Sequence, residues 1–232
     1  MGYLVLEGGT EFGGQMSAPD LRAIELAGGF DAPICIIPTA AAADNNHHRA
    51  GNNGLRWFQS LGAKNVFTVD VTDSKSANDN SLAASIRRSR LIYLLGGFPR
   101  YLGDTLANSI CWHAALDAYD GGAVIAGSSA GAMVLCEHYF DPNEKRMMPG
   151  LNLIPNACVL PHHNNFGKGW SKQIIGDLPN SILIGIDERT GLVSDMDGGW
   201  QIYGAGEVTL YWQDQLSAME EAKGSRSPKS DI

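Results

Sequence analysis

The chain has 232 residues, 44% of them apolar and 18% charged, and carries a formal net charge of −8. That is enough polypeptide for one large domain with a substantial core, and residues 1–212 read as that single domain. The acidic balance excludes a nucleic-acid surface, because the densest basic run, "IRRSR" at 86–90, is short enough to be the exposed end of an amphipathic helix.

In chain order, the first strand is "YLVLEGG", which runs into the Gly-rich stretch "LEGGTEFGGQ" at 6–15. Its glycines fall at 8, 9, 13 and 14, which is not the G-x-G-x-x-G spacing of a dinucleotide cradle. A helix then starts at Ser17, read as its N-cap, with Pro19 in the first turn and Asp20 where the helix dipole favours an acid. The second strand, "PICIIPTA", ends without the acidic residue that a ribose would require, so nucleotide binding is a weak alternative. A second helix over 44–61 is weakened by Gly51 and Gly54 and ends near Gly62. "NVFTVDV" follows as a strand. The polar stretch "DSKSANDNS" at 73–81 reads as a surface loop capping a helix over 79–89. "LIYLLGG", a helix over 101–118 and "AVIAGSS" continue the alternation, and "ACVLPHH" and "ILIGIDE" supply two further strands.

Most of these runs are continuously apolar, as expected of strands buried on both faces of a parallel sheet. Strand–helix alternation implies an α/β fold, a three-layer sandwich with a mostly parallel central sheet. Past residue 189 the pattern changes to strands with Gly turns, which predicts an antiparallel C-terminal extension, and the polar segment 213–232 reads as a frayed tail. Cys35, Cys111, Cys136 and Cys158 are widely spaced and form no C-x-x-C, so neither a zinc ribbon nor a redox motif is indicated. Reduced thiols, no signal-peptide pattern in "MGYLVLEGG" and no apolar run of about 18 residues make the cytoplasm the expected location, without a membrane partner.

The stretch "AVIAGSSAGAMVL" at 123–135 carries the chemistry. Gly127-Ser128-Ser129-Ala130-Gly131 has G-x-S-x-G spacing between an apolar strand and an apolar helix start, the context of a nucleophile elbow. In a parallel sheet, sites gather at the carboxyl ends of strands, and here those ends offer Gly96-Gly97, Ser129, His162-His163 and Asp187-Glu188. A serine hydroxyl needs an imidazole to take its proton, so one of the two histidines is the expected base and one of the two carboxylates its orienting acid. The N–H of Ala130, at the start of the elbow helix, is the expected first oxyanion donor, with the N–H of Gly97 on the neighbouring strand end as the second. A metal hydrolase built on "DNNHH" at 44–48 with His162 and His163 is a weaker alternative, because the spacing fits no ligand motif. A catalytically silent binding protein of the same fold is another.

"IAGSSAGAMVL", "IYLLGGFPRYL", "LPHHNNF" and "IGIDERTGL" together resemble peptidase family S51, the aspartyl dipeptidases and cyanophycinases, over roughly residues 1–210. The resemblance implies a flavodoxin-like, class I glutamine amidotransferase-like fold and an enzyme that cleaves peptide or isopeptide bonds next to aspartate through an acyl-enzyme, without metal or cofactor. It maps a Ser-His-Glu arrangement onto Ser129, His162 and Glu188, with Asp141 and Glu144 as second choices for the acid. A small peptide or amide is the implied partner, and the assembly leaves room for a homodimer. Two departures bear on the substrate. Cyanophycinases follow the double glycine with Asp-Gln, where this chain has Phe98-Pro99-Arg100, and "HNNFGKGW" replaces their Phe with spaced arginines. The β-aspartyl-arginine specificity therefore does not carry over. Arg100 becomes the expected clamp for a substrate carboxylate, with Phe98 and His163 beside it as substrate contacts.

Overall fold

The computed structural model describes residues 2–195 and 197–212, so the expected tail from 213 onward lies outside the described residues. Five parallel strands, running to one edge, make up most of a seven-stranded sheet: β1 (Tyr3–Glu7), β2 (Ile34–Ile37), β3 (Val66–Thr68), β4 (Leu91–Leu94) and β5 (Val124–Ser128). Alternate residues of each strand enter opposite cores. Leu4, Leu6, Cys35, Ile37, Ile92, Leu94 and Ile125 pack on one face, and Val5, Ile34, Ile36, Tyr93, Val124 and Ala126 on the other. That two-sided burial is why the strands read as unbroken apolar runs.

The first core is closed by α3 (Asn80–Arg87), α4 (Pro99–Leu106), α5 (Ile110–Asp120) and the short α6 (Ala130–Leu135), the second by α1 (Ser17–Leu26) and α2 (His47–Ser60). The predicted sandwich is therefore present, with local corrections. Ser17 is not the cap of α1: it lies inside the helix, and its hydroxyl donates to the Gly14 carbonyl at 2.8 Å. The single helix expected over 101–118 is two. The chain breaks at Asn108, in the left-handed region at φ 57°, and Ser109 restarts it by accepting the Trp112 N–H at 3.0 Å.

A larger correction concerns the strands after the elbow. Beyond a two-stranded ribbon of β6 (His138–Asp141) and β7 (Arg146–Pro149), β8 (Ala157–Leu160) and β9 (Ile182–Ile186) do not join the central sheet. They pair in parallel with each other and, through β9, antiparallel with β12 (Val208–Tyr211), forming a second, three-stranded sheet. This sheet has its own small core, in which Phe140, Cys158, Leu160 and Leu183 meet Ile174 and Ile175 of α7 (Ser171–Asp177). The expected antiparallel extension is real, because β10 (Thr190–Ser194) and β11 (Trp200–Gly204) lengthen the central sheet beside β1 in the order β11-β10-β1-β5-β4-β2-β3. The four cysteines are free and buried. Among the described residues, no helix is long and apolar enough to cross a membrane.

One polar cluster interrupts the second core. Glu7, the last residue of β1, accepts a short hydrogen bond from the Tyr93 hydroxyl, and Asp20 of α1 accepts the Trp57 indole N–H from α2 at 2.7 Å. Glu7 and Asp20 are fully buried. With both ionised, Glu7 Oε1 and Asp20 Oδ1 would have no donor. A proton on either carboxyl supplies one. Burial accordingly pushes Glu7 well above the carboxylate range, and pushes Asp20 from 3.8 to about 7, because a charge there is cut off from water. The neighbouring carboxylate pushes Glu7 further in the same direction.

The folded state thus holds protons that the unfolded chain releases near pH 4, so stability should decline as pH rises from about 4 to about 7. Each tenfold change in proton affinity is worth about 1.4 kcal/mol, so the rise through that window should cost on the order of 2–4 kcal/mol through Asp20. Asp20→Asn keeps an acceptor for Trp57 and cannot ionise. Melting curves at pH 5 and pH 8 should therefore show a fall of roughly 5–10 °C in the native protein that is clearly smaller in the variant. Equal falls in the two proteins would mean that Asp20 is ionised in the fold.

Candidate active site

The elbow is built by close backbone approaches that only glycine allows. A side chain at Gly131 would collide with the Leu94 carbonyl at the end of β4, and a Cβ at Gly127 would stand 2.5 Å from the Gly131 carbonyl carbon. Between them Ser129 turns at φ 48°, ψ −110°, a conformation that costs a residue with a side chain on the order of 1–3 kcal/mol. The turn is held from both sides: the Ser129 N–H donates to the Glu7 carbonyl at 3.0 Å, and its carbonyl accepts the Met133 N–H at 3.0 Å. Ser128 is fully buried, whereas Ser129 is partly open to solvent.

The Ser129 hydroxyl lies 3.1 Å from His162 Nε2, and His162 Nδ1 lies 2.8 Å from Glu188 Oε1. Three residues from different parts of the chain are thus connected in one line. His162 follows β8 and Glu188 follows β9, so the second sheet delivers both to the serine on the central sheet. The join is tight. The His162 N–H donates to the Gly8 carbonyl at 2.7 Å and the Arg189 N–H to the Gly9 carbonyl at 3.1 Å, and any side chain on Gly9 would enter the His162 ring. Phe166, itself 47% exposed, stacks on that ring with centroids 4.8 Å apart. Glu188 is held below the ordinary carboxylate range, first by its hydrogen bond with His162 and then by the histidine's charge and by Asn165, while its N–H donates to Asn164 Oδ1 at 3.0 Å. An ionised acceptor at Nδ1 places the imidazole proton there and leaves Nε2 free to accept from a hydroxyl.

Beside the serine, the N–H groups of Ala130, at the start of α6, and of Gly97, at φ 141°, have no acceptor among the described residues. A Cβ on Gly97 would stand 2.5 Å from the Ala40 carbonyl oxygen. A cleft of about 760 Å³ opens from Gly96 and Gly97 toward α2, with Glu11, Arg49, Asn53 and Arg56 among its lining residues.

The other expected residues lie elsewhere. Asp141 is buried and caps its own turn by accepting the N–H groups of Asn143 and Glu144, so it does not reach His162. Glu144 pairs with Arg100 at 2.6 Å and with Arg146 at 3.7 Å. Arg100 also faces Asp104 at 3.5 Å and lines a separate depression with Asp141 and Glu144, which corrects its expected place as a carboxylate clamp, since two carboxylates already answer its charge. His163 is corrected too. Its ring is 5% exposed and lies 2.7 Å from the Tyr211 hydroxyl and 3.4 Å from Asp187, bracing the second sheet instead of facing a substrate. Phe98 does sit on the cleft wall, 41% exposed. Among the described residues, no three His, Cys, Asp or Glu side chains converge on a point that could hold a metal ion, so "DNNHH" and the histidine pair do not form one site.

Sequence reasoning overlooked Glu11, Arg49, Arg56, Asn164, Asn165 and Phe166. "HHNNF" offered one signal, as two amides and an aromatic directly after the histidines. The helical spacing of seven between Arg49 and Arg56, which puts them on one face of α2, could have been noticed.

The sequence profile of peptidase family S51 matches residues 4–199. Cyanophycinase from Trichormus variabilis is 30% identical over 206 residues, covering 84% of this chain and 68% of that protein. Cyanophycinase from Geminocystis herdmanii is 30% identical over 208 residues, covering 85% and 75%. Among solved structures, a peptidase from an acI-B1 actinobacterium superposes with a TM-score of 0.82 at 31% identity, covering 91% of each chain. A putative peptidase E from Listeria monocytogenes shares the fold with a TM-score of 0.59 at 19% identity, covering 92% of this chain and 99% of that one.

Proposed function

Because the chain belongs to peptidase family S51, we propose that it is a serine peptidase that cleaves a peptide or isopeptide bond next to aspartate through an acyl-enzyme on Ser129. The observation that carries this reading is the unbroken hydrogen-bonded line Ser129–His162–Glu188 at 3.1 and 2.8 Å. His162 Nε2 takes the hydroxyl proton as Ser129 Oγ attacks the carbonyl carbon, and the resulting imidazolium is stabilised by the Glu188 carboxylate at Nδ1. The tetrahedral oxyanion is received by the N–H groups of Gly97 and Ala130, which have no competing acceptor among the described residues. His162 then gives the proton to the leaving amine, and water returns through the same base to release the acyl group. Phe166 against the imidazole limits the ring's freedom to swing away from the serine.

The acidic preference is assigned to Arg49 and Arg56. Both line the cleft beside the oxyanion donors, and neither forms an ion pair among the described residues, although Arg56 donates to Asn53 Oδ1 at 2.7 Å. A guanidinium held by a neutral amide still has donors for a carboxylate.

Ser129→Ala should abolish hydrolysis of aspartyl dipeptides and labelling by a fluorophosphonate probe without altering the melting temperature, since His162 is the one hydrogen-bond partner of the hydroxyl among the described residues. Residual turnover, or persistence of the label, would displace Ser129 as nucleophile. Glu188→Gln should lower kcat by about 10³- to 10⁴-fold with little change in KM, the pattern of a charge felt only in the transition state.

For the substrate side, Arg49→Gln should raise KM for aspartyl dipeptides by about 10- to 100-fold while sparing neutral ones, as one charge-assisted contact would. Arg100→Gln should leave the two substrate classes alike. If Arg100→Gln is the selective variant instead, the ion pairs with Glu144 and Asp104 must open when substrate binds.

A further inference from the structure

The two strand ends that deliver the base and the acid carry a second histidine–carboxylate pair, back to back with the first. His162 and His163 follow β8, and Asp187 and Glu188 follow β9. The outer members, His162 and Glu188, meet at 2.8 Å, and the inner members, His163 and Asp187, at 3.4 Å. The outer side chains are 20% and 28% exposed and the inner ones only 6% and 15%, so one pair reaches the serine while the other is turned into the protein. Three contacts fix the inner pair. The His163 ring lies on bare backbone, because a Cβ on Gly185 of β9 would stand 2.4 Å from its Cδ2. Its Nε2 lies 2.7 Å from the hydroxyl of Tyr211, on β12. Asp187 is tied to the chain entering β12, where its Oδ2 accepts the Glu207 N–H at 3.0 Å. With the His163 proton on Nδ1, toward Asp187, Nε2 accepts the Tyr211 O–H and both ring nitrogens are satisfied.

The backbone couples the two pairs. His162 is held at φ 50°, a conformation that a residue with a side chain adopts only under constraint. That constraint comes from both sides: the His162 N–H donates to the Gly8 carbonyl after β1 at 2.7 Å, and the His163 N–H donates to the Ile186 carbonyl of β9 at 3.0 Å. The histidine pair therefore bridges the two sheets, and the place where the His163 ring is anchored decides where the His162 ring points. Little error is tolerated there, since a misplacement of about 1 Å in a reacting group can cost about 10²-fold in rate.

We propose that His163, Asp187 and Tyr211 form a positioning unit that sets the geometry of His162 against Glu188 from behind, so that full turnover requires β12 although the nucleophile, base and acid all lie on other elements. The inference rests on the serine-peptidase reading for its kinetic half, while its geometric half can be measured without turnover. Tyr211→Phe keeps the ring and removes the hydroxyl. It should lower kcat by about 10- to 100-fold, hold KM within about twofold of the native value, and slow fluorophosphonate labelling of Ser129 by a factor similar to that in kcat. His163→Leu should behave alike, and His163→Gln, whose amide can donate to Asp187 and accept from Tyr211, should recover most of the loss. Ile174→Val loosens the small core of the same sheet and should lower the melting temperature while leaving kcat unchanged.

An unchanged kcat in Tyr211→Phe, a loss that Ile174→Val reproduces, or no recovery in His163→Gln relative to His163→Leu would each overturn the proposal. Should Tyr211→Phe fail to fold, the two His163 variants carry the same test. If the native protein neither hydrolyses aspartyl dipeptides nor takes the fluorophosphonate label, the serine-peptidase reading fails, and crystal structures of the native protein and of Tyr211→Phe still decide the positioning role. The separation of His162 Nδ1 from Glu188 Oε1 should lengthen by at least about 0.5 Å in the variant, and an unchanged separation would remove the role.

Discussion

The geometry of the site depends on how closely the β5–α6 turn can lie against the ends of its two neighbouring strands. Gly131 rests on the Leu94 carbonyl of β4, and Ser129 hangs its N–H on the Glu7 carbonyl of β1. These contacts impose the unusual backbone of Ser129, and that backbone lifts its hydroxyl out of the sheet while leaving Ser128 beneath it. The parallel register pairs Glu7 with Ser128 and Leu94 with Gly127, so the three strands end within one residue of one another. A one-residue slip in the pairing of any two of them would carry the oxyanion donors and the nucleophile to different faces.

Charge is arranged around that rim with the same economy. Below it, burial pushes both Glu7 and Asp20 toward their neutral forms, which lessens the negative charge beneath a site where an oxyanion must form. At the rim, Glu188 is kept ionised by His162 and Asn165, so its charge is present where an imidazolium will form. Across the cleft stand Arg49 and Arg56. Carboxyl groups of one chemical type are thus assigned opposite protonation states by their surroundings alone.

Much of this could be read from the residues. The elbow was legible because small residues at fixed spacing interrupted an apolar strand, and both its glycines prove to be sterically required. His162 and Glu188 were legible as strand ends, although the sheet they belong to was not. Continuous apolar runs such as "ACVLPHH" do not say which sheet they join, because burial on two faces looks the same in either. The helix break at Asn108 was hidden because an asparagine in the left-handed region and a serine cap are both compatible with a polar face. Arg100 was misplaced for a related reason: proximity in sequence to Gly97 says nothing about the direction of a helical side chain one turn on, and Glu144, 44 residues away, claims it. Glu11 was invisible because its partner, Ser128, is 117 residues distant and meets it only once β1 and β5 have paired.

The hydroxyl and the imidazole belong to different sheets, joined near the site by backbone hydrogen bonds through Gly8, Gly9, His162 and Arg189 and beneath it by a shared apolar core that holds Val159 and Ile186 together with Leu6 and Ile125. The 3.1 Å contact between Ser129 and His162 is therefore also a seam. A small displacement of the three-stranded sheet over that shared core would open it before either sheet lost its own strand pairing. The protein then has a route to inactivity that precedes unfolding, and any ligand that touches both rims at once acts as a fastener for the molecule as well as a reactant.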